Sequence, residues 1–319
     1  MSGHSVIYQS DITLIDDVSR VIIARGRDPG AYRSSSRAVS HDSMLPRAAA
    51  AIAAVSDNCD QLLVAPTLGI CGDAGAVVRH LGILATTTEG AALCFRVFCQ
   101  QGSAELGPHE HPDVTLDCIA LARSLPAWAR ADYQSVRATL SVSVQRLARA
   151  GADFFACPDN TAHMALEQPG ASLALPGLHI AEVVADQAAR DGYTRVGLLG
   201  TKYTMDGPVY PRAFAARRIA AELPTTQDRA ILHEIILAEL VNGVFTERAR
   251  QEYSRIIERL AARGCDAVGL VCTEIPLLVP PDASPLPVLD STRLLARAAF
   301  DAATGRRALP TWRGGPVVD

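Results

Sequence analysis

Aromatic side chains are scarce, at 5% of 319 residues, and neither sign of charge dominates: 30 Lys and Arg stand against 34 Asp and Glu. A net charge of −4 carries no polyanion-binding signature, so nucleic acid is not an expected partner. No apolar run approaches the ~20 residues of a membrane span, and neither a membrane partner nor a secretory leader is expected. Nucleotide motifs are missing too. There is no GxGxxG, and Gly200-Thr-Lys202 lacks the glycine spacing of a P-loop. The eight cysteines (59, 71, 94, 99, 118, 157, 265 and 272) are irregularly spaced, several inside apolar runs, which argues against a disulfide framework. Free thiols and a cytoplasmic setting are the expectation.

What is abundant is aliphatic. Apolar residues make up 49% of the chain, mostly Leu, Val, Ile and Ala, a composition suited to parallel strands covered by helices on both faces. Residues 1–78 read as an extension of uncertain order. Arg25–Arg37 is rich in Ser, Gly and Arg, with an alanine-rich helix expected over Leu45–Val55 and a short strand over Gln61–Ala65. From Leu81 onward apolar runs alternate with helical patterns. Strands are expected at Leu81–Leu84, Val114–Ala120, Asp153–Ala156, Arg195–Leu199 and Ala267–Val271. Helices are expected at Ala91–Gln101, Tyr133–Ala150, Ile180–Arg190, Pro211–Ala221, Arg229–Leu240, Glu247–Arg263 and Arg293–Ala303, the last capped by Asp290 or Ser291. The rhythm occurs twice, predicting an α/β fold of two domains with mainly parallel sheets.

Two segments more than a hundred residues apart place proton-active groups where a strand ends: Cys157-Pro-Asp-Asn-Thr-Ala-His163 and Gly269-Leu-Val-Cys-Thr-Glu274. Ligands in open α/β sheets bind outside the carboxyl ends of strands. Cys272 has two readings, a small buried hydrophobe or an acid/base group. Its strand-end position and the Thr273-Glu274 pair behind it favour the second. Asp159, Asn160 and Thr161 can cap a helix starting near Ala162, and such a helix end also binds carboxylates. Thr201, Thr204 and Thr273 sit in similar strand-end loops. Hydroxyls with Lys202 as the one lysine beside them suit a small carboxylate better than a triphosphate. His109-Glu-His111 has no third ligand in view and reads as a surface turn, so no metal is expected.

Taken together and in order, Glu110-His-Pro112, Pro158-Asp-Asn-Thr-Ala-His163, Gly197-Leu-Leu-Gly-Thr201 with Thr204 and Tyr210, Val271-Cys-Thr-Glu274 and Pro287-Val-Leu-Asp290 resemble the aspartate/glutamate racemase superfamily, in its aspartate racemase-like branch. The resemblance covers about residues 80–304. It implies two pseudo-symmetric α/β domains, 79–178 plus 291–319 and 179–290, with the active site in the cleft between them. It also implies proton transfer at Cα of an amino acid without pyridoxal phosphate, metal or other cofactor, and a possible homodimer. Cys272 would be one acid/base, and Asn160, Thr161, Thr201, Thr204 and Thr273 would hold substrate.

Three departures from the family pattern stand out. Asp159 occupies the place of the first cysteine, and Cys157, two residues earlier, lies too deep to replace it. Ala85-Thr-Thr-Thr-Glu89 replaces a glycine-rich loop, making Thr87 and Thr88 candidate carboxylate contacts. A lysine for the distal carboxylate is missing near Val241-Asn242, which leaves Arg123 as the candidate cation. The expected activity is racemisation or epimerisation of aspartate, glutamate or a related amino acid by Cys272 and Asp159. The alternative is a decarboxylase or isomerase of a small carboxylic acid in which Cys272 works alone.

Overall fold

Leu81–Ala85 and Ala267–Val271 are apolar along their whole length, and every residue in them is buried. Strands of that kind need cover on both faces. The computed structural model describes residues 78–317 and shows how the chain provides it. A first sheet contains β1 (Leu81–Ala85), β2 (Val114–Cys118), β3 (Phe154–Ala156) and β4 (Gly177–Leu178), all parallel, in the order β2-β1-β3-β4. A second sheet repeats the plan with β5 (Arg195–Gly200), β6 (Ala220–Glu222), β7 (Ala267–Val271) and β8 (Val288–Asp290), in the order β6-β5-β7-β8. The strand order reverses between β1 and β3, and again between β5 and β7. Each reversal opens a crevice at the carboxyl ends of the strands.

The connecting helices are α1 (Thr88–Glu105), α2 (Leu125–Ala129), α3 (Tyr133–Arg149), α4 (Ala162–Leu166), α5 (Ile180–Arg190), α6 (Lys202–Asp206), α7 (Val209–Ala215), α8 (Thr226–Ala238), α9 (Glu247–Ala262), α10 (Ile275–Leu278) and α11 (Ser291–Ala303). On α3, Val136, Leu140, Val144 and Leu147 recur at steps of three and four, and they pack with Leu84 and Phe155 of the first sheet. The opposite face is closed by α1 and α11, where Phe98 meets Phe300 edge-on at 6.0 Å. In the second sheet, Tyr253, Ile256, Ile257 and Leu260 of α9 cover one face, and Tyr210 and Phe214 of α7 cover the other. Each such fully buried side chain contributes roughly 1.5–3 kcal/mol.

Helix α5 serves both sheets: Ile180 and Val183 enter the first core, Ala181 and Val184 the second. Asp290 caps α11 as expected, accepting from the Thr292 and Arg293 N–H groups at 3.0 Å. Beyond α11 the chain returns to the first sheet, where the Leu173 and Gly177 N–H groups donate to the Arg313 and Trp312 carbonyls at 2.9 and 2.7 Å.

One expected helix is cut short. Pro211–Ala221 reads as helical because alanine is the best helix former. In the structure α7 ends at Ala215, Arg218 takes a left-handed φ of 60°, and Ala220–Glu222 pairs as an edge strand with β5. The expected extension over 1–78 lies, apart from Val78, outside the described residues, as do its helix, its strand, Cys59 and Cys71. The six described cysteines are all free thiols. Among the described residues no helix is long and apolar enough to cross a membrane.

Candidate active site

Both crevices open into one cavity of about 350 Å³. From the first sheet, the loop after β3 contributes Asp159, Asn160 and Thr161, and Thr87 comes from the loop after β1. From the second, Thr201 follows β5, while Cys272, Thr273 and Glu274 follow β7. The two sequence segments therefore meet across a single space.

Asp159 is held at both oxygens. One accepts a short hydrogen bond from the Thr86 hydroxyl, and the other accepts from the Ala162 N–H at 3.1 Å, so the aspartate also caps α4. Burial pushes its carboxyl above the usual aspartate range, while the Thr86 hydrogen bond pulls the other way. Behind it, His163 Nδ1 donates to the Asp159 carbonyl at 2.9 Å, and its Nε2 accepts from the Ile180 N–H at 3.3 Å. Burial pushes the His163 imidazole down to about 3, which keeps the ring neutral. Stacking on Trp312 at 6.0 Å fixes its plane.

Asn160 is buried and engaged at both ends of its amide: it donates to Ser291 Oγ at 3.0 Å and accepts from the Tyr210 hydroxyl. Thr161 joins Thr201 and Thr204 in a closed ring of hydroxyls at 3.1, 2.9 and 3.0 Å, tying the two strand-end loops together. Thr201 also caps α6 by accepting from the Thr204 N–H.

The Cys272 thiol donates to Glu274 Oε2 at 3.1 Å, and the Thr273 hydroxyl donates to the same oxygen at 3.0 Å. Burial, followed by the negative charge of Glu274, holds the thiol well above its ordinary range. Cys272 is therefore a protonated thiol. Glu274 Oε1 and the Tyr253 hydroxyl are buried without partners among the described residues. Gly90 lets α1 approach this loop: a Cβ there would lie 2.2 Å from Thr273 Oγ1.

Not every candidate reaches the cavity. Thr88 and Arg123 are exposed and do not line it, and Thr204 sits behind the wall in the hydroxyl ring. Cys157 is fully buried in the apolar core of the first sheet. The residues missed were Thr86, whose hydroxyl only the fold brings to Asp159, and an apolar wall contributed by α2 and the end of α8. Glu274 was visible in the motif without its role as acceptor for Cys272. His109-Glu-His111 stays on the surface, and among the described residues no group of three or more His, Cys, Asp or Glu side chains gathers around a metal position.

Fold and cavity define a two-lobed α/β protein with a cavity at the paired switch points of twin parallel sheets. A model of the Asp/Glu/Hydantoin racemase family matches residues 88–299. A crystal structure from Yersinia pestis assigned to the Asp/Glu racemases is 32% identical, covers 70% of this chain and 99% of that one, and superposes with a TM-score of 0.62. An aspartate racemase homologue from Pyrococcus horikoshii OT3, 23% identical over 70% of this chain and 99% of that one, shares the fold at a TM-score of 0.59. Among curated proteins, the broad specificity amino-acid racemase RacX of Bacillus subtilis is 21% identical over 52% of this chain and 72% of its own length. The chain belongs to the Asp/Glu/hydantoin racemase family.

Proposed function

We propose that the protein is a cofactor-independent amino-acid racemase in which Asp159 and Cys272 exchange protons with opposite faces of Cα. The observation that carries the reading is the pairing itself: a carboxylate from the first sheet and a thiol from the second line one cavity. Membership of a racemase family supports the isomerase class. Asp159 removes the Cα proton of one enantiomer, and the electron pair is left on the carbanion. The Cys272 S–H bond then breaks to supply a proton to the other face, leaving a thiolate. The opposite enantiomer runs the same steps in reverse.

Thr87, Thr161, Thr201 and Thr273 offer hydroxyls to the substrate carboxylate, and fixed donors of that kind stabilise the charge that develops there. The same reading divides the chain beyond residue 78 into domains 79–178 plus 291–319 and 179–290, supported by the return of α11 and the segment after it to the first sheet.

A second reading has one observation in its favour. Both Asp159 oxygens already accept hydrogen bonds, which suits a fixed aspartate and a one-sided decarboxylase or isomerase served by Cys272 alone. Incubation of enantiopure amino acids in D₂O separates the two. Racemisation gives the opposite enantiomer with deuterium at Cα. CO₂ release from a substituted malonate without any racemisation would sink the two-sided mechanism.

A further inference from the structure

The polar groups named above account for only part of the cavity wall. Leu121, Leu125 and Trp128 from the segment after β2, and Ile236, Leu237 and Val241 from α8 and the turn beyond it, line most of the rest. No lysine or arginine is among the lining residues. Arg123 is exposed outside the lining, and Lys202, next to Thr201, pairs with Asp206 at 3.4 Å. The charged residues of the lining, Asp159 and Glu274, are both acids.

This wall has a further property. Leu125, Tyr203, Leu237 and Val241 are large apolar side chains left 52, 42, 52 and 37% exposed, and all four line the same cavity. Trp128 and Tyr203, one from each half, stand 6.3 Å apart between ring centres. Exposed apolar groups gathered around a concave site gain by being covered, and a ligand's own apolar surface is what covers them. A carboxylate in that position would lose its hydration with no cation in exchange, and the two acids of the lining would repel it.

We infer that the preferred substrate is an amino acid with a bulky apolar side chain, of the leucine, methionine or phenylalanine class, rather than aspartate or glutamate. The side-chain preference comes from the lining alone. The fate of Cα rests on the racemase reading above.

Binding tests the preference without requiring turnover. The full-length Cys272→Ala protein, shown by circular dichroism to be folded, is titrated with both enantiomers of leucine, phenylalanine and aspartate, following the emission of the cavity-lining Trp128. Leucine or phenylalanine should bind at least ten-fold more tightly than aspartate. Adding Val241→Lys, a change at a part-exposed position, should narrow or reverse that ratio. Equal or tighter aspartate binding, or no saturable binding of the apolar amino acids, overturns the inference. Deuterium exchange by the wild-type protein is read separately. If apolar amino acids bind but none exchanges at Cα, the racemase reading fails and the side-chain preference stands.

Discussion

The two strand-end loops that face each other across the cavity are built to opposite standards. At Asp159 each oxygen has a partner: Thr86 and the Ala162 N–H hold its carboxylate, and His163 holds its carbonyl. Around Cys272 the hydrogen bonding is incomplete, because Glu274 Oε1 and the Tyr253 hydroxyl are buried and unpartnered. Buried polar atoms without partners are rare and costly, and they concentrate where a ligand or a reaction will use them. The first loop thus presents a fixed carboxylate, and the second a thiol beside unspent hydrogen-bonding capacity. The two sides are chemically unequal in the same sense. One is a carboxylate able to take a proton, and the other a thiol held protonated and able to give one.

The largest expected effect comes from removing either side. Cys272→Ala should lower turnover by about 10²–10⁴-fold, the usual contribution of a general acid or base, with the fold retained. Asp159→Asn should cause a comparable fall in kcat in steady-state kinetics. A rise in KM alone would make Asp159 a binding group and break the comparison. The pH profile of kcat/KM sharpens it. Burial raises both groups, so the acid limb should lie above the ordinary aspartate value of 3.8 and the alkaline limb above the ordinary thiol value of 9.0, with a plateau between.

Next in size is the effect of acid on the well-satisfied loop. His163 is pushed from 6.5 down to about 3 in the folded protein. Below pH 6.5 the unfolded chain therefore binds a proton that the folded chain refuses. The His163 contribution to stability falls as the pH drops, by about 1.4 kcal/mol per pH unit until about pH 3. Urea denaturation between pH 7 and 4 measures that slope, and His163→Gln should flatten it.

Steric change at the second loop should cost less. Gly90→Ala places a Cβ against Thr273, and such overpacking costs about 1–3 kcal/mol. It should also displace the Cys272-Thr273-Glu274 loop, so turnover and thermal stability should fall together. The smallest effect is expected from Tyr253→Phe. Removing a buried hydroxyl that has no partner should leave stability unchanged or raised, within about 1 kcal/mol by denaturant titration. A larger loss would mean that the hydroxyl already has a partner, and the contrast between the loops would shrink.

Much of this was legible in the chain. Fully apolar runs such as Leu81–Leu84 and Ala267–Val271 announce parallel strands, and the steps along Tyr133–Ala150 announce a one-faced helix, because burial on two faces or on one leaves those patterns. Strand-end placement also brought Asp159 and Cys272 to one site. The rest depended on contacts distant in sequence. The strand at Ala220–Glu222 exists only through pairing with β5, and local alanine content argues for helix. Thr86 reaches Asp159 because β1 lies beside β3, an adjacency that residue order does not reveal. The apolar wall combines α2, a five-residue helix, with the end of α8, and neither segment carries a motif. Arg123 looked like the missing cation by position, yet its turn leaves it outside the cavity.

The unequal pair is tested most directly by where solvent deuterium first appears during turnover of a single enantiomer in D₂O, read by mass spectrometry on the separated enantiomers of a panel that includes leucine, phenylalanine and aspartate. Two groups on opposite faces predict deuterium at Cα of the product from the first time point, while the recovered substrate stays unlabelled. Equal early labelling of substrate and product would mean that one group serves both faces, which contradicts the assignment of Asp159 and Cys272 to opposite sides.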